Sequence, residues 1–162
     1  MVVKSETVSL YMQNNMIKSI NGLGLVLDDV MFKPSCLLWI NLSNNHLKEL
    51  DEDLGLAFPQ LKTLYLHGNY ITDMSQITAL ERLSELQVLT LYNNPIEHID
   101  NYRLIVLHTM YKTMENLKKF DQVIVTRQEY DNCCMIGNLR SIKNLRSLKV
   151  PQNALKEPPK AV

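Results

Sequence analysis

Apolar residues recur along this chain in a fixed frame that closes each time on an asparagine. The frames read Leu10-x-Met12-x-x-Asn15-x-Ile17, then Leu37-x-x-Ile40-x-Leu42-x-x-Asn45-x-Leu47. They continue as Leu61-x-x-Leu64-x-Leu66-x-x-Asn69-x-Ile71 and Leu86-x-x-Leu89-x-Leu91-x-x-Asn94-x-Ile96, with Ile20, Leu50, Met74 and Ile99 following at a constant offset. In Leu64-Tyr65-Leu66 the period is two, which predicts a short strand with leucines inward and the tyrosine outward. One such unit cannot bury its apolar side alone, so the units are expected to stack and share a continuous core. Asn15, Asn45, Asn69 and Asn94 fall where the chain leaves each strand. Their amides can donate to carbonyls of adjacent turns that burial would otherwise orphan. Such a ladder accounts for all four asparagines and is preferred to ligand binding by them.

The backs of the units predict short helices. Ser75–Leu86 has Ile77, Leu80, Leu83 and Leu86 apolar with Glu81, Arg82 and Glu85 exposed, and Gly22–Phe32 and Glu52–Phe58 are the other candidates. The asparagines are spaced 30, 24 and 25 residues apart, and the surplus in the first gap lies in Asn21–Ser35, where Pro34 disturbs any helix ending. Beyond Ile99, Tyr102, Ile105, Val106 and either Thr109 or Met110 share a helical face. Leu117 and Phe120 supply a last strand, and Thr126 with Glu129 forms a capping box for another helix. The fold expected is an α/β solenoid: a short parallel sheet on the concave face, helices and turns on the convex face, and a C-terminal helical cap. Its body covers residues 5–130, with units at about 7–36, 37–60, 61–85 and 86–116 and the cap at 100–130. Residues 131–162 are expected to be helical and then extended. That tail holds a near-copy of the frame, Leu145-x-x-Leu148-x-Val150-x-x-Asn153-x-Leu155. It lies beyond the cap, so chance agreement is preferred to a true repeat, with docking on another chain as a third reading.

The frame resembles that of leucine-rich repeat proteins. With the cap residues Tyr102, Arg103, Leu117 and Phe120, the chain is similar to intracellular repeats of the phosphatase-1-regulator type. The spliceosomal A-prime protein and the repeat-bearing light chain of axonemal dynein share that cap. The blocks Leu38-Trp-Ile-Asn-Leu-Ser-Asn-Asn45, Leu64-Tyr-Leu-His-Gly-Asn69 and Leu89-Thr-Leu-Tyr-Asn-Asn-Pro95, together with the long first spacer, narrow the likeness. Over roughly Ser5 to Glu129 they resemble small intracellular members associated with ciliated cells. The resemblance implies a cytoplasmic protein of a ciliary axoneme or another cytoskeletal assembly. It also leaves open a phosphatase regulatory subunit or a component of an RNA–protein particle.

Composition adds a compartment and a charge asymmetry. There is no transmembrane-length apolar run and no secretory signal at the start, so no membrane partner is expected. Cys36, Cys133 and Cys134 offer no paired framework, which points to a reducing setting, and the adjacent pair reads as helix thiols rather than as a metal or redox site. From Asn138 onward six basic residues face Glu157 alone, giving +5, while the remainder holds 11 basic and 16 acidic residues, giving −5. Such a tail suits an acidic surface such as tubulin, or remains a solvated extension. Nucleic acid is the less expected partner.

The frame also identifies which side chains point outward from the sheet. The columns are Ser9, Trp39, Thr63, Val88, Lys119; Tyr11, Asn41, Tyr65, Thr90, Asp121; and Gln13, Ser43, His67, Tyr92, Val123. Large amphipathic rings dominate binding hot spots, so Tyr11, Trp39, Asn41, Tyr65, His67 and Tyr92 are the candidate partner-binding residues. The plainer account is β-propensity with cross-strand ring pairing. Catalysis, cofactors and metals find no support in the pattern. His46, His67, His98 and His108 lack ligand spacing, Gly22-Leu-Gly24 lacks the rest of a dinucleotide loop, and His67 has no nucleophile or orienting carboxylate. The function expected is a non-enzymatic adaptor.

Overall fold

The computed structural model describes residues 8–30, 33–113, 115–136 and 149–150. Five short strands, β1 (Ser9–Tyr11), β2 (Trp39–Asn41), β3 (Thr63–Tyr65), β4 (Val88–Thr90) and β5 (Lys119–Phe120), run parallel in chain order. A sixth, β6 (Val123–Ile124), closes the sheet antiparallel to β5. Registers hold residue for residue, with Leu10, Ile40, Leu64 and Leu89 abreast and Tyr11, Asn41, Tyr65 and Thr90 abreast beside them. The framework aliphatics from Leu37 to Leu91 form one buried core with Phe58, Ile77, Leu80, Ile105, Val106 and Phe120. This is the shared core that stacking demands.

The ladder is real for three of the four asparagines. Asn45, Asn69 and Asn94 are buried. The Asn69 amide donates to the Leu42 carbonyl of the preceding repeat (3.0 Å) and to Leu66 of its own (2.9 Å), and its Oδ1 accepts from Leu47 N (3.0 Å). Asn45 and Asn94 repeat that pattern one unit down and one unit up. Each ladder asparagine therefore serves the repeat before it. Asn15 departs from expectation: no repeat precedes it among the described residues. It is exposed, and its amide reaches only the nearby Met12 and Gln13 carbonyls. One residue earlier, Asn14, Asn44, Gly68 and Asn93 share a left-handed backbone at φ 58°, 54°, 68° and 55°. Asparagine tolerates that region and glycine occupies it without strain.

The backs differ from the predicted helices in kind and length. Between β1 and β2 stands α1 (Leu23–Val30), within the expected Gly22–Phe32, with Met31 and Phe32 outside the described residues. After Lys33 in a left-handed conformation, Pro34–Cys36 forms one 3₁₀ turn. Glu52–Phe58 contracts to the single turn α2 (Leu54–Ala57). Ser75–Leu86 is a correction. The segment is a 3₁₀ helix over Met74–Arg82, started by the Asp73 side chain, which accepts from Ser75 N (2.9 Å). A 3₁₀ helix rises about 2.0 Å per residue against about 1.5 Å for an α-helix, so it spans the back of a short repeat with fewer residues.

Gly55 of α2 lies directly against this 3₁₀ helix: a Cβ there would overlap the Cβ of Arg82 and approach its carbonyl carbon to 2.8 Å. In an open helix, Gly→Ala stabilises by about 1 kcal/mol. Here the sign should reverse. Gly55→Ala is expected to destabilise by about 1–3 kcal/mol, read as a lowered urea midpoint, because the obstacle is backbone.

Candidate functional site

The strand register sets the rings of Trp39, Tyr65, His67 and Tyr92 in a continuous diagonal across the concave face. Trp39 meets Tyr65 edge-on at 5.2 Å and 77°, Tyr65 meets His67 at 5.9 Å, and His67 stacks on Tyr92 at 4.5 Å and 7°. All four are half-buried by one another, while Tyr11 on the outermost strand is 62% exposed. Thr63 and Thr90 are buried beneath them. The Thr90 hydroxyl lies 2.8 Å from His67 Nδ1, fixing the ring plane that stacks on Tyr92. Burial lowers the His67 pKa, with the Asp121 charge pulling weakly the other way, so the neutral ring dominates at pH 7. Asn41 turns its Oδ1 to the Ser43 amide (3.1 Å) and hydroxyl (2.7 Å), which rigidifies the strand end. The face thus offers preformed aromatic surface with few rotatable groups.

Two column members leave this face. Asp121 and Gln122 adopt positive φ (47° and 67°) and turn the chain back, so Val123 pairs antiparallel with Phe120 instead of extending the third column. Asp121 instead closes the sheet. Its Oδ1 accepts from Leu91 N (2.5 Å) and Tyr92 N (3.0 Å), and its Oδ2 accepts from the Tyr102 hydroxyl (2.9 Å). In earlier repeats Leu42 N and Leu66 N donate to carbonyls of the next strand. The carboxylate takes over that role where the strands end. Burial raises its pKa, against the pull of those three donors, and burial followed by the Asp121 charge pushes the Tyr102 hydroxyl well up.

The rest of the cap forms around Arg103 on α3 (Tyr102–Thr109). Its guanidinium grips Glu129 with Nε–Oε1 at 2.7 Å and Nη2–Oε2 at 3.2 Å, and reaches the Phe120 and Ile124 carbonyls at 3.1 and 3.2 Å. Leu117 and Phe120 are buried beneath, Phe120 in β5 and Leu117 just before it. Ile105, Val106, Thr109 and Met110 are buried too, but so are Leu107 and His108, so more than one face of α3 is covered. Thr126 and Glu129 make both halves of the capping box for α4 (Arg127–Ile136), at 2.9 and 3.2 Å. Cys133 on that helix is buried, and the Cys134 side chain lies outside what is described. The sequence shows Asp121 only as a member of a concave column and Glu129 only as half of the capping box, so the bonds of Asp121 to Tyr102 and of Glu129 to Arg103 were missed. A turn with Asp but no glycine is the faint signal for the first.

Among the described residues no group of His, Cys, Asp or Glu could hold a metal ion. Among the same residues no helix is long and apolar enough to cross a membrane.

Comparison with known proteins agrees with the geometry. A family profile described as leucine-rich repeat matches residues 12–115. Leucine-rich repeat-containing protein 51 of Pan troglodytes is 36% identical over 126 residues, covering 78% of this chain and 63% of that protein. The Homo sapiens protein of that name is 38% identical over 107 residues, covering 66% and 55%. The chain therefore spans less than two thirds of the length of these relatives. In the crystal structure of the Drosophila melanogaster SNF/U2A' complex, one chain superposes with a TM-score of 0.64 at 20% identity, covering 88% of this chain and 92% of that one. The asparagine ladder, the parallel register and the profile match coincide, and the chain belongs to the leucine-rich repeat family.

Proposed function

We propose that this chain is a non-enzymatic adaptor that grips a helix or extended segment of a protein partner along the concave ring strip. One observation carries the reading: Trp39, Tyr65, His67 and Tyr92 form an unbroken chain of ring contacts on the open face of the sheet. A core does not need them there, and rigid rings deliver contact area at little entropic cost. Tyr11 and Asn41 extend the same face toward the first repeat. The likeness to proteins of ciliated cells supports a ciliary axoneme or another cytoskeletal assembly in the cytoplasm as the setting. The basic tail would then reach an acidic neighbour such as tubulin.

The test is affinity purification from ciliated cells with cross-linking, comparing the parent with Trp39→Ala/Tyr65→Ala. Hot-spot rings contribute about 2 kcal/mol or more each, so the double variant should lose partner recovery by a factor on the order of 100 or more while keeping its circular dichroism. Undiminished recovery from a folded double variant would refute the face assignment. Co-purifying phosphatase activity would favour a regulatory subunit instead, and salt-sensitive RNA recovery a particle component.

A further inference from the structure

Of the near-copy of the frame in the tail, Lys149 and Val150 are described, and they are not a strand of the sheet. Leu145, Leu148, Asn153 and Leu155 lie outside the described residues, but Lys149 and Val150 are placed, and they return to the third repeat. Lys149 forms an antiparallel bridge with Asp73, and Val150 N donates to the Thr72 carbonyl at 3.0 Å. Lys149 Nζ lies 2.8 Å from Asp73 Oδ2, and Val150 is buried to 6% exposure.

We propose that the flank of the third repeat at Thr72–Asp73 is a second docking site. It takes an extended segment with a cation followed by an aliphatic residue, and the chain's own Lys149–Val150 occupies it in cis. Three features single out this repeat. With Lys149 and Val150 in place the Asp73 side chain is 16% exposed, and its other oxygen is fixed on Ser75 N. At the matching place the other repeats carry Ser19, Glu49 and His98, all exposed. The Thr72 carbonyl points outward to accept a strand-like N–H, which is how sheet edges recruit extended peptides. Burial pushes the Asp73 pKa up, but Lys149 and Ser75 together outweigh it and leave the carboxyl below its ordinary value.

The contact is small: one backbone bond, one ion pair whose lysine is 70% exposed, and one buried valine. A contact of that size holds because it is tethered, at an effective concentration of about millimolar. A segment of like chemistry on another protein can therefore displace it. The concave strip is not involved, so this site stands or falls separately from the adaptor reading.

Amide hydrogen exchange in the intact chain tests the proposal. The Val150 amide should exchange at least tenfold more slowly than in an unstructured peptide. Lys149→Glu should remove that protection, as should Asp73→Ser, which keeps an oxygen for Ser75 N; Lys149→Arg should retain it. A synthetic peptide spanning Leu145–Leu155, added at millimolar excess, should restore fast exchange at Val150, and the same peptide carrying Lys149→Glu should not. An unprotected Val150 amide in the parent chain, or protection that survives Lys149→Glu, overturns the seat. Protection that the peptide cannot displace overturns the docking site and leaves a fixed closure.

Discussion

Asn69→Ala is expected to cost about 4 kcal/mol, enough to unfold much of a domain whose total stability is about 5–15 kcal/mol. The side chain holds the Leu47 amide and the Leu42 and Leu66 carbonyls at 3.0, 3.0 and 2.9 Å, all in the buried interior. Alanine leaves an N–H and two carbonyls without that partner. Each such group costs about 1–3 kcal/mol when water cannot reach it, with carbonyls at the lower end. Asn69→Asp should not rescue the loss. It keeps the acceptor for Leu47 N but turns an oxygen toward two carbonyls and buries a charge. Asn15→Ala, in the same sequence frame, should cost less than about 0.5 kcal/mol, because its bonds are local and solvent replaces them. Urea unfolding of the three variants checks this. Equal losses at Asn15 and Asn69 would contradict a ladder in which each asparagine serves the repeat before it.

That contrast also marks what the sequence could carry. Periodicity determines which side chains point in or out, and so the concave columns from Ser9 to Tyr92 were legible, because a one-residue slip would reverse every face. Position in the stack is not written into the frame, and nothing in Leu10-x-Met12-x-x-Asn15 announces that its amide meets only the local Met12 and Gln13 carbonyls. The 3₁₀ back was legible in principle: Ile77, Leu80, Leu83 and Leu86 recur every third residue, the 3₁₀ period, rather than at alternating threes and fours. The reversal at Asp121-Gln122 was barely legible, since Asp121 suits the first position of such a turn but Gln122 stands where a glycine is usual. Nor could the columns give the stacking of His67 on Tyr92, which depends on the hydroxyl of Thr90 behind it. The seat of Lys149–Val150 rests on a two-residue bridge far from its partner in sequence, and no local pattern encodes it.

Arg103→Met is expected to destabilise the cap by about 2–3 kcal/mol at pH 7 and to flatten the acid limb of the stability curve. The methionine keeps some apolar cover over Phe120, whose ring lies 5.5 Å from the guanidinium carbon, so the loss is mainly the charged hydrogen bonds. Glu129 is held at a pKa of about 2, first by its bonds to Arg103 and then by the Thr126 amide, while burial pushes the other way. In the unfolded chain a glutamate titrates near about 4.3. The folded value is depressed, so the stabilisation is fully present above about pH 4.3 and is lost as pH falls toward 2. With the pair's side chains about 30% exposed, solvent screening reduces this contribution to about 1–2 kcal/mol. Asp121 contributes with the opposite sign, since burial raises its pKa and favours the folded state as pH falls. That opposing slope should be common to parent and variant, so the difference between their urea-unfolding curves at pH 7, 4 and 3 isolates Glu129. The parent should lose its advantage over Arg103→Met as pH falls through this window. An advantage unchanged from pH 7 to pH 3 would mean that the Thr126 capping bond, and not Arg103, sets the acidity of Glu129.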